Sequence, residues 1–263
     1  MVKNFGQLSS GETAHLYSLM TDMLRICVTD FGGTLVSVEV KDKSGEFVDV
    51  TLGYDDVAGY ENDNDCFGFN IGRNANRISN AQFTLNNIKY VLAKNDGENN
   101  LHSGPHLFSK RMWHVTEYRD DSIIFEIESL HLDQGFPGNA KFYIIYRITG
   151  SNSFEIEYNA VPDMTNHSYF NLNGEGSGSI VNHKTVIHAV FFTPLKAGAI
   201  PTGEVRAVDK TPMDFRKIKR IGNDINSEYE QIKIAGGYDH NWVIDHPDSQ
   251  NLAECVEVYG DKT

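Results

Sequence analysis

The 263-residue chain reads as an all-β protein, a large antiparallel β-sandwich. Three observations predict this. Short stretches of alternating apolar and polar residues recur along its length, punctuated by turns rich in Gly, Asn, Asp and Pro. Only residues 217–232 offer a helical pattern. No strand-then-helix alternation of the dinucleotide-binding kind occurs. Hydrophobic residues make up 40%, enough for a sizeable core. No linker, repeat or low-complexity block divides the sequence, so residues 1–263 are read as one domain.

The predicted elements follow in order. Residues 14–19, 24–29 and 35–40 are strands, with Phe31-Gly32-Gly33-Thr34 turning the chain between the last two. A polar loop at 41–46 leads to a strand at 48–52. Residues 53–69 read as irregular and acidic. Asp63-Asn64-Asp65 has the start of a calcium loop, but the glycine and the twelfth-position Glu are missing. Residues 83–92 read as a hairpin turning at Asn86-Asn87. Strands follow at 112–118, 122–130, 141–149 and 154–160, with a loop at 131–140. His183 and His188 are five apart, so on one strand they face opposite ways, and they read as structural. Residues 191–204 form a connection with two prolines. A last strand at 251–259 runs into a hairpin turn at 260–263.

Composition narrows the function. A net charge of −13 and a pI near 5.1 argue against nucleic acid or an anionic membrane as partner, because both require a positive surface. Cys27, Cys66 and Cys255 are scattered and odd in number, which suits a reducing compartment. The N-terminal residues lack the apolar run of a signal peptide, and no apolar stretch approaches a membrane span. The expectation is a cytoplasmic protein; the oligomeric state is not set by the sequence.

Polar clusters interrupt the apolar pattern. Thr165-Asn166-His167-Ser168-Tyr169-Phe170-Asn171-Leu172-Asn173-Gly174 puts a histidine between two asparagines and before two aromatics. In a strand, His167, Tyr169 and Asn171 would share one face and Asn166, Ser168 and Phe170 the other. Histidine titrates near neutrality and can move a proton there, although a core histidine satisfied by a carbonyl fits the same residues. Gly72-Arg73-Asn74-Ala75-Asn76-Arg77-Ile78 holds two arginines, whose forked donors suit carboxylates or vicinal hydroxyls; a turn pairing them with local carboxylates is the alternative. His102 and His106 flank Gly104-Pro105, which forbids a helix between them, so they make a poor metal pair and no metal is expected. Gly236-Gly237-Tyr238-Asp239-His240 places an acid and a histidine after a glycine pair.

Taken together, these stretches resemble the aldose 1-epimerase (galactose mutarotase) family nearly end to end. The resemblance is carried by the 72–78 segment, Asn100-Leu101-His102-Ser103-Gly104, Asp133-Gln134-Gly135-Phe136-Pro137-Gly138-Asn139, the 166–172 segment and Ile200-Pro201-Thr202-Gly203. It implies a β-supersandwich that interconverts α and β anomers of aldohexoses, without cofactor or metal. It implies His167 as the acid that protonates the ring oxygen and His102 as the second histidine near the ring oxygen and anomeric hydroxyl. Asn76, Arg77 and Asp239 are implied as binders of sugar hydroxyls, with Ser168 and Tyr169 bordering the site. The family's base, a glutamate in its C-terminal region, has no match here; Glu254 and Glu257 precede that region. The expectation is a chain lacking the family's last strands, with exposed apolar faces and activity at least ~10²-fold below that of a complete enzyme. A sugar-binding sandwich without catalysis, and an epimerase acting on a hexose phosphate, are the alternatives; the latter needs more cationic residues than are evident.

Overall fold

The structure, a computed structural model, describes residues 1–159, 163–245 and 252–262. Ala160, Asn251 and Thr263, at the ends of the expected strands and hairpin turn, lie outside them. Two compact units are present, Met1–Glu175 and Gly176–Thr263.

In the first unit, β1 (Val2–Gln7), β2 (Thr13–Met20), β3 (Leu24–Thr29), β4 (Leu35–Lys41) and β5 (Phe47–Asp49) form one antiparallel sheet in sequence order. Next along the chain come a helix, α1 (Val57–Asn62), and the short strands β6 (Asn70–Ile71) and β7 (Arg77–Ile78). A hairpin follows, β8 (Gln82–Leu85) and β9 (Ile88–Val91), then β10 (Asn100–Leu101). A second antiparallel sheet is built from β11 (His114–Tyr118), β12 (Ser122–Ser129), β13 (Ala140–Gly150) and β14 (Ser153–Asn159). β15 (Thr165–Asn166) pairs with β6.

The alternation seen in the sequence becomes the core. Leu24, Ile26 and Val28 point inward from the first sheet, and Ile123, Phe125, Phe142, Ile144 and Tyr146 from the second, with Phe108 and Trp113 among them. On the other face of the first sheet, Phe5, Ala14 and Val36 pack against Val57 and Tyr60 of α1 and Phe69 and Ile71.

Two expectations are corrected. Residues 53–69 are not wholly irregular: Asp56 caps α1 by accepting from the Gly59 N–H at 3.0 Å, and Val57 and Tyr60, three apart, bury one helical face. The 217–232 helix is instead a 3-10 turn at Ile221–Asn223 and a short helix further on. Gly68 (φ +67°) shows why the chain passes tightly under the first sheet. A Cβ there would lie 1.9 Å from the Leu35 carbonyl oxygen, so only glycine fits.

The second unit holds β16 (Lys184–Ile187), β17 (Ala189–Phe192), β18 (Leu195–Lys196), β19 (Ile200–Pro201), β20 (Arg206–Ala207) and β21 (Lys219–Arg220). It continues with α2 (Glu230–Ala235), β22 (Trp242–Ile244) and β23 (Val256–Tyr259). β16 lies between β21 and β23, and β17 between β20 and β22. Its core gathers Phe192, Val208, Met213 and Ile232, while Val256, Val258 and Tyr259 of β23 are exposed. Among the described residues no helix is long and apolar enough to cross a membrane.

Candidate active site

β10 pairs with β7, with Leu101 opposite Arg77, which sets His102 beside Asn76. The two residues clamp each other. The His102 N–H donates to the Asn76 carbonyl at 3.0 Å, and the Asn76 N–H donates to His102 Nδ1 at 3.0 Å. Both adopt left-handed backbone, φ 61° for Asn76 and 56° for His102. A ring nitrogen that accepts carries no hydrogen, so the neutral His102 ring holds its hydrogen on Nε2. The Asn76 side chain turns back to accept from the Arg77 N–H at 2.8 Å. Arg77 donates through Nε to Asp96 at 2.8 Å.

His167 arrives from β15. Its N–H donates to the Phe69 carbonyl at 2.8 Å. Its ring stands nearly perpendicular to that of His102, with centroids 5.4 Å apart, and meets the exposed Tyr169 ring at 5.2 Å. Tyr169 rests in turn against Phe67 at 5.3 Å.

The expected long strand here is only two residues. Asn166 Oδ1 accepts from the Ser168 N–H at 3.1 Å and the Ser168 hydroxyl at 2.6 Å, an Asx turn that curls the backbone out of the ladder. His167 and Tyr169 do share a side. Asn171 does not join them: it is buried, and its Oδ1 accepts from the Asn173 N–H.

The two arginines separate. Arg73 is buried and donates to Ser129 Oγ and to the carbonyls of Ser129, Leu130, Pro137 and Gly138, so its fork is taken up by one hydroxyl and four carbonyls, and among the described residues it pairs with no carboxylate. Burial pushes its guanidinium below its ordinary value. The 131–140 loop is thus a buttress. Gln134 adds a bond from the Arg73 N–H and donates to the Gly72 and His106 carbonyls, and Asp133 takes a bidentate pair from Arg111 at 2.8 Å on each arm.

Asp239 lies in the second unit, exposed between half-buried Tyr238 and buried His240. Gly236 (φ 71°) ends α2 and Gly237 (φ 146°) turns the chain into this stretch. His240 Nε2 meets Gln231 Oε1 at 3.2 Å. Among the described residues, one group of acid and histidine side chains comes close enough to hold an ion: His188, Glu254 and Glu257 of the second unit, which includes neither His102 nor His106. What the sequence did not reveal is the backbone clamp on His102. A positive φ at Asn76 is in character for asparagine, but the pairing partner is fixed only by the β7–β10 register.

A family model described as aldose 1-epimerase matches residues 15–263. The chain belongs to the aldose 1-epimerase family. It is 36% identical over 262 residues to galactose mutarotase of Bos taurus, covering 97% of this chain and 74% of that protein. It is 36% identical over 225 residues to aldose 1-epimerase of Escherichia coli (strain K12), covering 83% of this chain and 64% of that one. Its fold is similar to that of a GalM/aldose epimerase homologue from C. elegans, with a TM-score of 0.84 and 28% identity over 94% of this chain and 76% of that one. Galactose 1-epimerase from Lactobacillus acidophilus NCFM, 22% identical, shares the fold with a TM-score of 0.85 over 99% and 77%.

Proposed function

We propose that this chain interconverts the α and β anomers of aldohexoses such as galactose and glucose by acid–base opening of the pyranose ring. The observation that carries this reading is the meeting of His102 and His167, 5.4 Å apart, with the His102 tautomer fixed as an Nε2–H donor. His167 delivers a proton to the ring oxygen as the C1–O bond breaks. His102 donates toward the ring oxygen and the anomeric hydroxyl. The anomeric hydroxyl gives its proton to water, the aldehyde turns about C1–C2, and the ring closes on its other face with the two proton transfers reversed. Each positioned proton transfer contributes typically ~10²–10⁴-fold. The acceptor of the anomeric proton is assigned to none of these residues.

Asn76 and Arg77 are proposed to bind sugar hydroxyls at the same place, with Tyr169 forming an exposed wall against His167. Ser168 has given its hydroxyl hydrogen to Asn166, so toward a sugar it offers lone pairs. Asp239 is proposed as a further hydroxyl acceptor on its motif alone. That one family model runs through both units supports reading residues 1–263 as a single domain. The free thiols of Cys27, Cys66 and Cys255 suit a cytoplasmic setting, and the net charge of −13 suits a neutral sugar better than nucleic acid.

Polarimetry on freshly dissolved α-galactose tests the proposal. The chain should bring the rotation to equilibrium faster than buffer alone, and His167→Ala should remove most of the acceleration. A wild-type rate equal to buffer overturns it.

A further inference from the structure

A buried polar chain lies beneath the 166–168 segment, and the ring-opening chemistry does not use it. Asn70 is 0% exposed. Its Nδ2 donates to the Gly33 carbonyl and to the Tyr146 hydroxyl, the latter at 3.0 Å, and its Oδ1 accepts from the Tyr158 hydroxyl. The Tyr146 hydroxyl donates onward to the Gly33 carbonyl at 2.8 Å. On the other side, Asn166 Nδ2 donates to the Gly68 carbonyl at 3.2 Å and reaches Asn70 Oδ1 at 3.5 Å. Asn166 Oδ1 then holds both the N–H and the hydroxyl of Ser168.

We infer that Asn70 and Asn166 are positioning residues for His167, anchored by the phenol of Tyr158. This rests on the reading of His167 as the proton donor. The β6–β15 ladder is two residues long; His167 adds a single bond to the Phe69 carbonyl, and the next backbone pairing begins only at Tyr169, whose carbonyl accepts from the Leu52 N–H. A ladder that short frays, and a ring displaced by about 1 Å loses its aim at the reacting atom. The network prevents this by gripping the residues on either side of His167, Asn166 through Gly68 and Ser168 through Asn166. Apolar side chains would fill the same space without withdrawing polar groups from water. Polar groups at this depth are tolerated because their partners are present, and a satisfied network of this kind selects one backbone geometry. Burial pushes the phenols of Tyr146 and Tyr158 upward, so both remain neutral donors near pH 7.

Three variants test the inference: Tyr158→Phe, which deletes one oxygen and keeps the ring, Asn166→Ala, and Asn166→Asp. The readouts are the melting temperature, kcat and KM for anomer exchange, and the His167 ring Cε1–H resonance. Tyr158→Phe and Asn166→Ala should lower kcat roughly tenfold with KM within about twofold. They should also move or split the His167 resonance, while that of His114, exposed on β11, stays fixed. Asn166→Asp restores the acceptor for Ser168. It cannot donate to the Gly68 carbonyl, so it should recover only part of kcat, and it should move the alkaline limb of the pH–rate profile upward, because His167 acts in its protonated form and a nearby carboxylate favours imidazolium. An unmoved His167 resonance in both Tyr158→Phe and Asn166→Ala overturns the positioning role, as does a kcat loss that merely follows the folded fraction. If the wild type fails to exchange anomers, the mutarotase reading falls, and the resonances still decide the positioning. Should Asn166→Ala not fold, Tyr158→Phe carries the test.

Discussion

Replacing Arg73 by Met separates a structural arginine from a sugar-binding one. Methionine retains much of the aliphatic length and removes five acceptor contacts: Ser129 Oγ and the carbonyls of Ser129, Leu130, Pro137 and Gly138. The contacts to Ser129 are fully buried, whereas the carbonyls of Leu130, Pro137 and Gly138 are partly buried and water can reach them once the fork is gone. Counting the two dry contacts at roughly 1.5–2 kcal/mol each, the loss is about 3–4 kcal/mol. That is a large share of the ~5–15 kcal/mol that holds a typical domain together. The relief of the buried charge works the other way and is contained in that net figure. Urea unfolding followed by tryptophan fluorescence is the assay. Trp113 sits in the core of the first unit, and a Trp242→Phe background removes the signal of the second. Arg73→Lys should restore less than half, since an ammonium lacks the planar fork. A change below about 0.5 kcal/mol, well under a single buried charged hydrogen bond, together with a raised KM for galactose, would show that the guanidinium serves ligand and not loop.

Three further outcomes are expected. His167→Ala should depress kcat by ~10²–10⁴-fold while Asp239→Asn mainly raises KM, because a proton donor acts on the rate and a hydroxyl acceptor also holds the ground state; polarimetry at several sugar concentrations separates the two, and a fully active His167→Ala would remove the assigned acid. Burial, opposed by the neighbouring Asp239, holds His240 below its ordinary 6.5. The unfolded chain therefore takes the proton first: this contribution is present above pH ~6.5 and is lost as the pH falls through and below it. Urea midpoints from pH 7.5 to 5 should fall less steeply for His240→Gln, and equal slopes would refute the claim. Anomer exchange should survive EDTA dialysis, and activity lost to the chelator and restored by zinc would show that a metal takes part.

The sequence by itself determined the class of fold and the candidate residues. Alternation such as Leu24, Ile26, Val28 announces a sheet face because a strand's side-chain period is two, and Asn86-Asn87, at φ 50° and 63°, turns its hairpin because asparagine tolerates left-handed backbone. Such signals are local, so they survive in one dimension. The short helix α1 stayed hidden in an acidic stretch because one turn and a half bury only two side chains. Only the tertiary structure decided what each polar residue is for. Arg73 and Arg77 look alike in sequence, yet one is spent on carbonyls of a loop far along the chain while the other pairs with Asp96. His102 stands beside His167 with a defined tautomer only because β7 and β10 pair in one register, and Asn70 carries no signal in the sequence until Tyr146, Tyr158 and Asn166 close around it. The reason is physical. A hydrogen-bonding side chain is defined by its partner, and when the partner is distant in sequence the pair exists only after the chain has folded.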